Sequence, residues 1–336
     1  MLQYAHARAS EYKTNFPTLL FKFEFTMYCM YVLITTLLVL FVHSPVHGQT
    51  EPLEPEWCRQ LPRSLYKTLE RIEIADDWFE VYRIHPGVFA IYEPRQYEEV
   101  ISYLILGSKK ALLFDTGMGI GRIRKVAESL TSVPLLILNS HTHPDHIGGN
   151  HEFQNILALD TNFTRKNSRG FSGADVKAWV QPPRVCGSLP KDFDPNTYTI
   201  RGFSTSRYIS DGEILDLGDR KLEVIRTPGH TPDALCILDR KNRLLFTGDT
   251  FYLGPIYLYL PETDFAAYME SVTRLEKLTG EIDLLLPAHN VPIASVEFLT
   301  RLKEAVEQVR SGTAKAILKD GLREFQFDGF SLLLSK

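Results

Sequence analysis

The pattern of hydrophobic positions beyond residue 79 predicts short strands alternating with amphipathic helices. Strand-like runs bounded by turn residues occupy Phe79–Ile84, Val88–Tyr92, Ile101–Leu106, Ala111–Phe114 and Leu135–Leu138. A second series occupies Glu213–Leu217, Lys221–Arg226, Leu235–Leu238, Leu244–Thr247 and Ile282–Leu286. Helical spacing predicts helices over Arg122–Leu130, after the capping pair Thr263-Asp264, and over Ser295–Arg310. Strands and helices mix within each half, which predicts sheets at the centre and helices outside.

Three stretches differ from this regular pattern. Residues 49–78 are rich in proline and charge, and we interpret them as a lead-in to a single catalytic domain at 79–311. Residues 161–208 show little periodicity, which is typical of an insertion and makes them a candidate substrate-facing lid. Residues 312–336 are expected to be a C-terminal extension that packs on the domain.

The N-terminus carries a separate apolar segment. Residues 27–42 are sixteen positions without a charge, between the length of a signal-peptide core (~7–15) and that of a membrane span (~20). Because Val46 and Gly48 offer cleavage spacing, residues 1–48 are predicted to be a signal peptide. The alternative is an uncleaved membrane anchor at 27–42. Either predicts export, to the periplasm or outside the cell.

Composition and charge narrow the class of protein. Hydrophobic residues make up 44% and charged residues 23%, which is typical of a globular chain. The formal net charge of −4 argues against nucleic acid as a partner, because phosphate binding needs a basic face. Beyond residue 48, the favoured disulfide is Cys58 with Cys186, although sequence alone does not fix connectivity, and Cys236 is expected to be buried.

The strongest chemical signal is His141-Thr-His143-Pro-Asp145-His146, directly after a predicted buried strand. Imidazole nitrogen and carboxylate oxygen are ligands of borderline cations such as zinc, and crowding these groups together without a cation would be costly. Three further candidates, each at a predicted strand end, are His230, Asp249 and His289. Since α/β proteins place their chemistry at strand ends, the pattern predicts a metal centre.

This arrangement resembles the signature of the metallo-β-lactamase-fold hydrolases over most of residues 79–311, and all seven signature positions are present. The resemblance implies an α/β fold of the αββα sandwich type with two metal ions, most simply Zn2+. It implies that one metal is bound by His141, His143 and His230. It implies that the second is bound by Asp145, His146 and His289, that Asp249 bridges the two, and that Asp115 supports the site without ligating.

The same resemblance implies a dinuclear zinc-dependent hydrolase in which a metal-bridging hydroxide attacks an ester, thioester or lactone carbonyl. Asp145 would orient the hydroxide and carry its proton. β-Lactamases proper generally lack a bridging aspartate, so Asp249 favours the glyoxalase II, lactonase and thioesterase branches. Only 47 residues follow His289, too few for the helical C-terminal domain of glyoxalase II. A β-lactamase and a non-catalytic metal-binding protein are the alternatives.

Aromatic residues suggest how a substrate is held. Tyr252 follows Asp249 by three positions, as a phenol does in quorum-signal lactonases, and would there bond the carbonyl or leaving oxygen; the alternative is a pocket wall. An apolar pocket is predicted from Phe163, Phe171, Trp179, Phe251, Tyr252, Tyr257 and Tyr259, with ordinary core packing as the alternative. The expected partner is a small molecule with an apolar part. A membrane is expected only if residues 27–42 stay attached.

Overall fold

Two large β-sheets form the centre of the structure, a computed structural model that describes residues 55–336. The predicted signal peptide or anchor, residues 1–48, lies outside the described residues. Between residues 55 and 336, no helix is both long and apolar enough to cross a membrane.

The N-terminal sheet has eight strands, in the order Glu70–Ile72, Glu80–His85, Val88–Tyr92, Ile101–Leu106, Ala111–Phe114, Leu135–Leu138, Ile156–Leu159 and Arg207–Ile209. The first five pair antiparallel and the last three continue the sheet in parallel. The central strands are continuous apolar runs because both of their faces are covered.

The C-terminal sheet has six strands, in the order Ile214–Asp216, Lys221–Arg226, Leu235–Asp239, Leu244–Gly248, Leu284–Pro287 and Ala294–Ser295. All neighbours pair antiparallel except Leu244–Gly248 and Leu284–Pro287, which run parallel. Since parallel neighbours end at the same edge, the loops after these two strands lie side by side.

Three apolar clusters define the layers. The first contains side chains from both sheets, including Tyr103 and Phe246, whose ring centroids are 5.2 Å apart. The second covers the outer face of the C-terminal sheet with helices Phe265–Glu276 and Glu297–Ser311. The third covers the outer face of the N-terminal sheet with helix Ile123–Leu130. The order helix, sheet, sheet, helix confirms the predicted αββα sandwich.

The remaining helices are short. The α-helices are Pro144–Ile147, Asn162–Asn167 and Ala174–Ala178, and the 3₁₀ turns are Glu56–Gln60, Ser64–Thr68, Asn150–Glu152 and Thr279–Glu281. The predicted cap at Asp264 is present, because its carboxylate accepts from the Ala267 amide at 3.0 Å.

The lead-in contributes to the domain. Residues 70–72 form the first strand of the N-terminal sheet, and the two 3₁₀ turns precede it. Cys58 in the first turn is bonded to Cys186 in the 161–208 segment, with 5.8 Å between their Cα atoms. The favoured disulfide is therefore present. Cys236 is free and buried.

The 161–208 segment is more ordered than its sequence indicates. It contains the two short helices Asn162–Asn167 and Ala174–Ala178 and a strand pair, Gly170–Phe171 with Ile200–Arg201. Its final residues enter Arg207–Ile209, the last strand of the N-terminal sheet.

The C-terminal residues form a further sheet of four strands, in the order Gly254–Leu258, Phe330–Leu334, Leu322–Phe327 and Ile317–Lys319. The sheet packs in the second apolar cluster through side chains such as Phe330 and Leu332. Its first strand, Gly254–Leu258, begins shortly after Asp249 and runs parallel to Phe330–Leu334.

Candidate metal centre

The seven side chains predicted as ligands meet at one edge of the sandwich. Each follows a strand, and the strands come from both sheets: Leu135–Leu138 for the His141–His146 loop, and Lys221–Arg226, Leu244–Gly248 and Leu284–Pro287 for the other three. Their ligand atoms form two groups, each within 4.8 Å: His141, His143 and His230 are the first group, and Asp145, His146 and His289 are the second group. A further set within the same distance, His141, His146 and Asp249, overlaps both groups.

The first group is a cluster of three imidazole nitrogens. Nε2 of His141 is 2.9 Å from Nδ1 of His143, and Nε2 of His230 is 3.1 Å from the same atom. Such a cluster offers a cation three neutral donors from one side.

The second group pairs two imidazoles with a carboxylate. Oδ2 of Asp145 is 3.4 Å from Nε2 of His146 and 3.7 Å from Nε2 of His289. The two imidazole nitrogens are 3.3 Å apart. Two nitrogens and one oxygen facing a common point form a second candidate position for a cation.

Asp249 lies between the two groups. Its Oδ1 is 3.0 Å from Nε2 of His289 and 3.3 Å from Nε2 of His146. Its Oδ2 is 3.5 Å from Nε2 of His230 and 4.0 Å from Nε2 of His141. Oδ1 is buried and has no well-formed hydrogen bond within residues 55–336. An unsatisfied buried carboxylate oxygen surrounded by imidazole nitrogens fits a pair of divalent cations.

Each imidazole is held through its other ring nitrogen, as the rings of metal-binding histidines usually are. The partners are Ser140 Oγ for His141 at 3.0 Å, Glu262 Oε1 for His143 at 2.7 Å, Asp115 Oδ2 for His146 at 3.0 Å, the Tyr257 carbonyl for His230 at 2.8 Å and the Glu98 carbonyl for His289 at 2.6 Å. All five rings therefore direct one nitrogen at the centre of the site.

Asp115 supports the ligand loop in two ways. Its Oδ1 accepts from the Ser140 amide at 2.7 Å, while its Oδ2 faces Nδ1 of His146 at 3.0 Å. The residue is fully buried and has a left-handed backbone, with φ of 67°. Asp115 therefore orients the candidate ligand His146 through the ring nitrogen that faces away from the site.

Glu262 is a site residue that sequence reasoning missed. Its carboxylate reaches Nε2 of His143, which leaves Nδ1 of that ring to face the first group. Burial opposes its ionisation, but the hydrogen bond from His143 keeps the pKa of Glu262 below its usual value. Nothing in the sequence around Glu262 signals this contact, because 119 positions separate the two residues.

The electrostatics of the two groups differ. Burial lowers the pKa of His230 to about 4 and that of His141 well below its usual value, so both rings are neutral donors at pH 7. Burial also disfavours charge on His289, but the Asp249 carboxylate outweighs it and raises the pKa of His289 to about 9. Despite its burial, Asp145 has its pKa lowered to about 2, chiefly by His146. In the second group, the proton on His289 balances the carboxylate charge that a bound cation would otherwise balance.

The predicted aromatic pocket is only partly present. Phe163 lies beside His143, with ring centroids 5.9 Å apart, and Tyr252 lies beside His289 at 4.9 Å. The hydroxyl of Tyr252 donates to the Pro255 carbonyl, so in this structure its proton is directed at the backbone. The catalytic role of Tyr252 stays a prediction.

Three of the other aromatic residues pack in the core instead. Phe251 is fully buried and stacks on Phe298, with a centroid distance of 5.4 Å, because the C-terminal residues complete an apolar cluster there. Phe171 and Trp179 pack against the outer face of the N-terminal sheet. The prediction that these three line the pocket is therefore wrong, and the alternative of core packing is correct for them.

Residues 99–289 match the family model described as the metallo-beta-lactamase superfamily. The chain therefore belongs to the metallo-beta-lactamase superfamily. The predicted resemblance is thereby confirmed.

Two relatives are hydrolases. The chain is 26% identical over 230 residues to an acyl-coenzyme A thioesterase, MBLAC2, of Homo sapiens, which covers 63% of this chain and 81% of that protein. It is 33% identical over 163 residues to a hydroxyacylglutathione hydrolase of Francisella tularensis subsp. novicida, which covers 48% of this chain and 52% of that protein. Family and relatives place the chain among the hydrolases of the superfamily.

Solved structures share the fold. A metallo-beta-lactamase from Pontibacter korlensis has a TM-score of 0.51 at 16% identity and covers 68% of this chain and 99% of its own. A metallo-beta-lactamase family protein from Thermus thermophilus has a TM-score of 0.51 at 21% identity and covers 69% and 82%. At these identities the likeness concerns the fold alone.

Proposed function

We propose that the chain is a two-metal hydrolase whose substrate is a thioester. The observation that carries the proposal is the ring of five imidazoles, each fixed from outside and directed inward, around the unsatisfied carboxylate of Asp249. In this proposal His141, His143 and His230 would hold one cation and Asp145, His146 and His289 the other, with Asp249 a candidate ligand for either. Nitrogen and carboxylate donors suit Zn2+.

Divalent cations at these positions would supply Lewis-acid activation of a water molecule and polarisation of the substrate carbonyl. The residues of the chain complete the chemistry. Asp145 is ionised at neutral pH, because His146 outweighs its burial and lowers its pKa to about 2, so its carboxylate can orient the attacking water and pass on the water's proton. Burial of the site excludes bulk water and strengthens these electrostatic interactions.

The thioester is favoured over the other carbonyl substrates by the relatives. Both curated relatives described above are named for the hydrolysis of thioesters, an acyl-coenzyme A and a hydroxyacylglutathione. Phe163, which is half-buried beside His143, is an apolar side chain that an acyl chain can contact. A lactone, a simple ester and a β-lactam are the competing substrates.

A substrate panel with the zinc-loaded full chain tests the proposal. We expect a medium-chain acyl thioester to have a kcat/KM at least tenfold above those of a lactone, a chromogenic ester and a cephalosporin. The matched control is Asp216→Ala, an exposed aspartate in the sheet whose strand Leu244–Gly248 precedes Asp249, which should keep full activity, whereas Asp249→Ala should not. A chain with two zinc ions that hydrolyses none of the four would refute the function, and a preference for the cephalosporin would reassign it.

Export is part of the same proposal. It is supported by the uncharged segment at residues 27–42 and by the Cys58–Cys186 disulfide, since disulfides persist in oxidising compartments. N-terminal sequencing of the protein recovered outside the cytoplasm tests it. A start at Gln49 would establish cleavage, an intact N-terminus in the membrane fraction would establish the anchor, and recovery from the cytoplasm alone would refute export.

A further inference from the structure

Arg63, in the lead-in, forms hydrogen bonds with residues next to the second candidate metal position. Its Nε donates to Oε2 of Glu99 at 2.8 Å, and its Nη2 donates to Oε1 of Glu99 at 2.5 Å. The same Nη2 also donates to Oδ1 of Asn290 at 2.8 Å. One guanidinium thus joins two chain segments that are far apart in sequence.

Both segments, the one at Glu99 and the one at Asn290, fix the position of His289. Asn290 directly follows His289, and Glu99 directly follows Glu98, whose carbonyl accepts from Nδ1 of His289 at 2.6 Å. The Asn290 amide also donates to the Glu99 carbonyl at 3.2 Å. The contact between these segments therefore sets the direction of the His289 ring, and Arg63 fastens that contact.

The backbone at Glu99 is strained. Glu99 has φ of 46°, in the left-handed region that L-residues other than glycine and asparagine rarely occupy, and Asn290, with φ of 67°, is of a type that tolerates it. A residue such as Glu99 costs on the order of 1 kcal/mol there and persists only where the surroundings fix it. Glu99 is also 2% exposed, so its charge needs a counterion, and Arg63 supplies it.

We propose that Arg63 is a positioning residue for the second metal position: it holds Glu99 and Asn290 so that the imidazole of His289 is directed at the cation. The inference rests on the proposed two-metal function. It concerns a part of the chain outside the family match, which begins at residue 99. The lead-in thereby becomes part of the functional site.

Metal titration of the full chain tests this role without measuring activity. Metal-free Arg63→Met and Arg63→Lys are titrated with Zn2+ by calorimetry and with Co2+ by visible absorption, which reports ligand geometry. The control is Arg220→Met, a buried arginine with a carboxylate partner, Asp239, at 3.1 Å. Arg220 precedes the strand Lys221–Arg226, at the end opposite the metal centre.

We call the cation at the His289 position the second equivalent and identify it by its Co2+ spectrum, whatever the order of filling. In Arg63→Met we expect its dissociation constant to rise about 10- to 100-fold, the range found for residues that orient metal ligands. The first equivalent should change less than threefold, and the Co2+ spectrum of the second equivalent should shift. Arg63→Lys keeps a positive charge but cannot form the planar fork, so it should show an intermediate rise. Arg220→Met should lower the unfolding temperature and leave both equivalents in place.

Two results would overturn the inference. One is an Arg63→Met chain that binds both equivalents as the wild type does. The other is an equal weakening of both equivalents in Arg63→Met and Arg220→Met, which would indicate general destabilisation. If Arg63→Met does not fold, an unchanged second equivalent in Arg63→Lys overturns it. A wild-type chain that binds fewer than two equivalents would refute the proposed function itself, and the inference with it.

Discussion

Removing the disulfide by the double change Cys58→Ser and Cys186→Ser should lower stability substantially. The two cysteines are 128 positions apart, and closing a loop of that length removes chain entropy worth about 5 kcal/mol from the unfolded state. Measured values are typically ~2–4 kcal/mol, so we expect a loss of about 2–5 kcal/mol. For a domain of this size, that corresponds to a fall in Tm of roughly 3–8 °C.

Thermal unfolding followed by circular dichroism measures this shift, and reductant provides the control. Dithiothreitol should lower the Tm of the wild type towards that of the double variant and leave the double variant itself unchanged. Within residues 55–336, the remaining cysteine, Cys236, is buried and takes no part in the bridge. A double variant within about 2 °C of the wild type, or an equal effect of reductant on both proteins, would refute the reasoning.

Three further predictions concern the site. Glu262→Ala should raise the dissociation constant of the zinc ion at the position of His141, His143 and His230 about 10- to 100-fold in a metal titration, because His143 loses its orienting contact. An unchanged dissociation constant would contradict this. Tyr252→Phe should lower kcat less than threefold in a steady-state assay, because the hydroxyl bonds Pro255; a tenfold loss at constant KM would make the phenol a catalytic donor. The metal-free protein should lose Tm as pH rises from about 6.5 to 9. Burial lowers the pKa of His289, but the Asp249 carboxylate outweighs burial and raises it to about 9, so the folded state retains a proton that the unfolded chain releases. A Tm that rises over this range would contradict the raised pKa of His289.

Much of the central fold could be predicted because its strands are continuous apolar runs bounded by turns. The predicted bounds of Val88–Tyr92, Ile101–Leu106, Ala111–Phe114 and Leu135–Leu138 agree with the structure. Other bounds differ by a residue or two, such as the last helix, which begins at Glu297 because residues 294–295 pair with the C-terminal sheet. Tertiary pairing decides such ends, and periodicity does not record it.

Elements at the edges of the sheets were harder to predict. The strand Glu70–Ile72 begins with two charged, exposed residues, so it lacks the apolar alternation of a half-buried strand. It forms because Glu80–His85 offers it an unpaired edge. The same holds for Ile317–Lys319, which is exposed throughout and is paired through Leu322–Phe327. Their pairing is non-local and leaves no pattern in a single segment.

The centre of the candidate site could be predicted and its surroundings could not. Ligand types and their spacing identify the seven residues, because close-set histidines and aspartates are rare without a cation to bind. Glu262 and Arg63 were missed because the side chains that they contact, His143 for Glu262 and Glu99 and Asn290 for Arg63, are brought to them by the fold. Phe251 was assigned to the pocket because sequence does not tell which way a side chain points after a strand ends.

The most direct test of the two-metal centre is the metal content of the full chain after reconstitution with zinc and removal of loosely bound ions. Elemental analysis should give close to two zinc ions per wild-type chain and two per Asp216→Ala chain. Asp249→Ala should give one or fewer, because Asp249 faces both candidate positions. A wild-type chain that retains less than one zinc ion, or an Asp249→Ala chain that retains two with wild-type affinity, would contradict the two-metal centre.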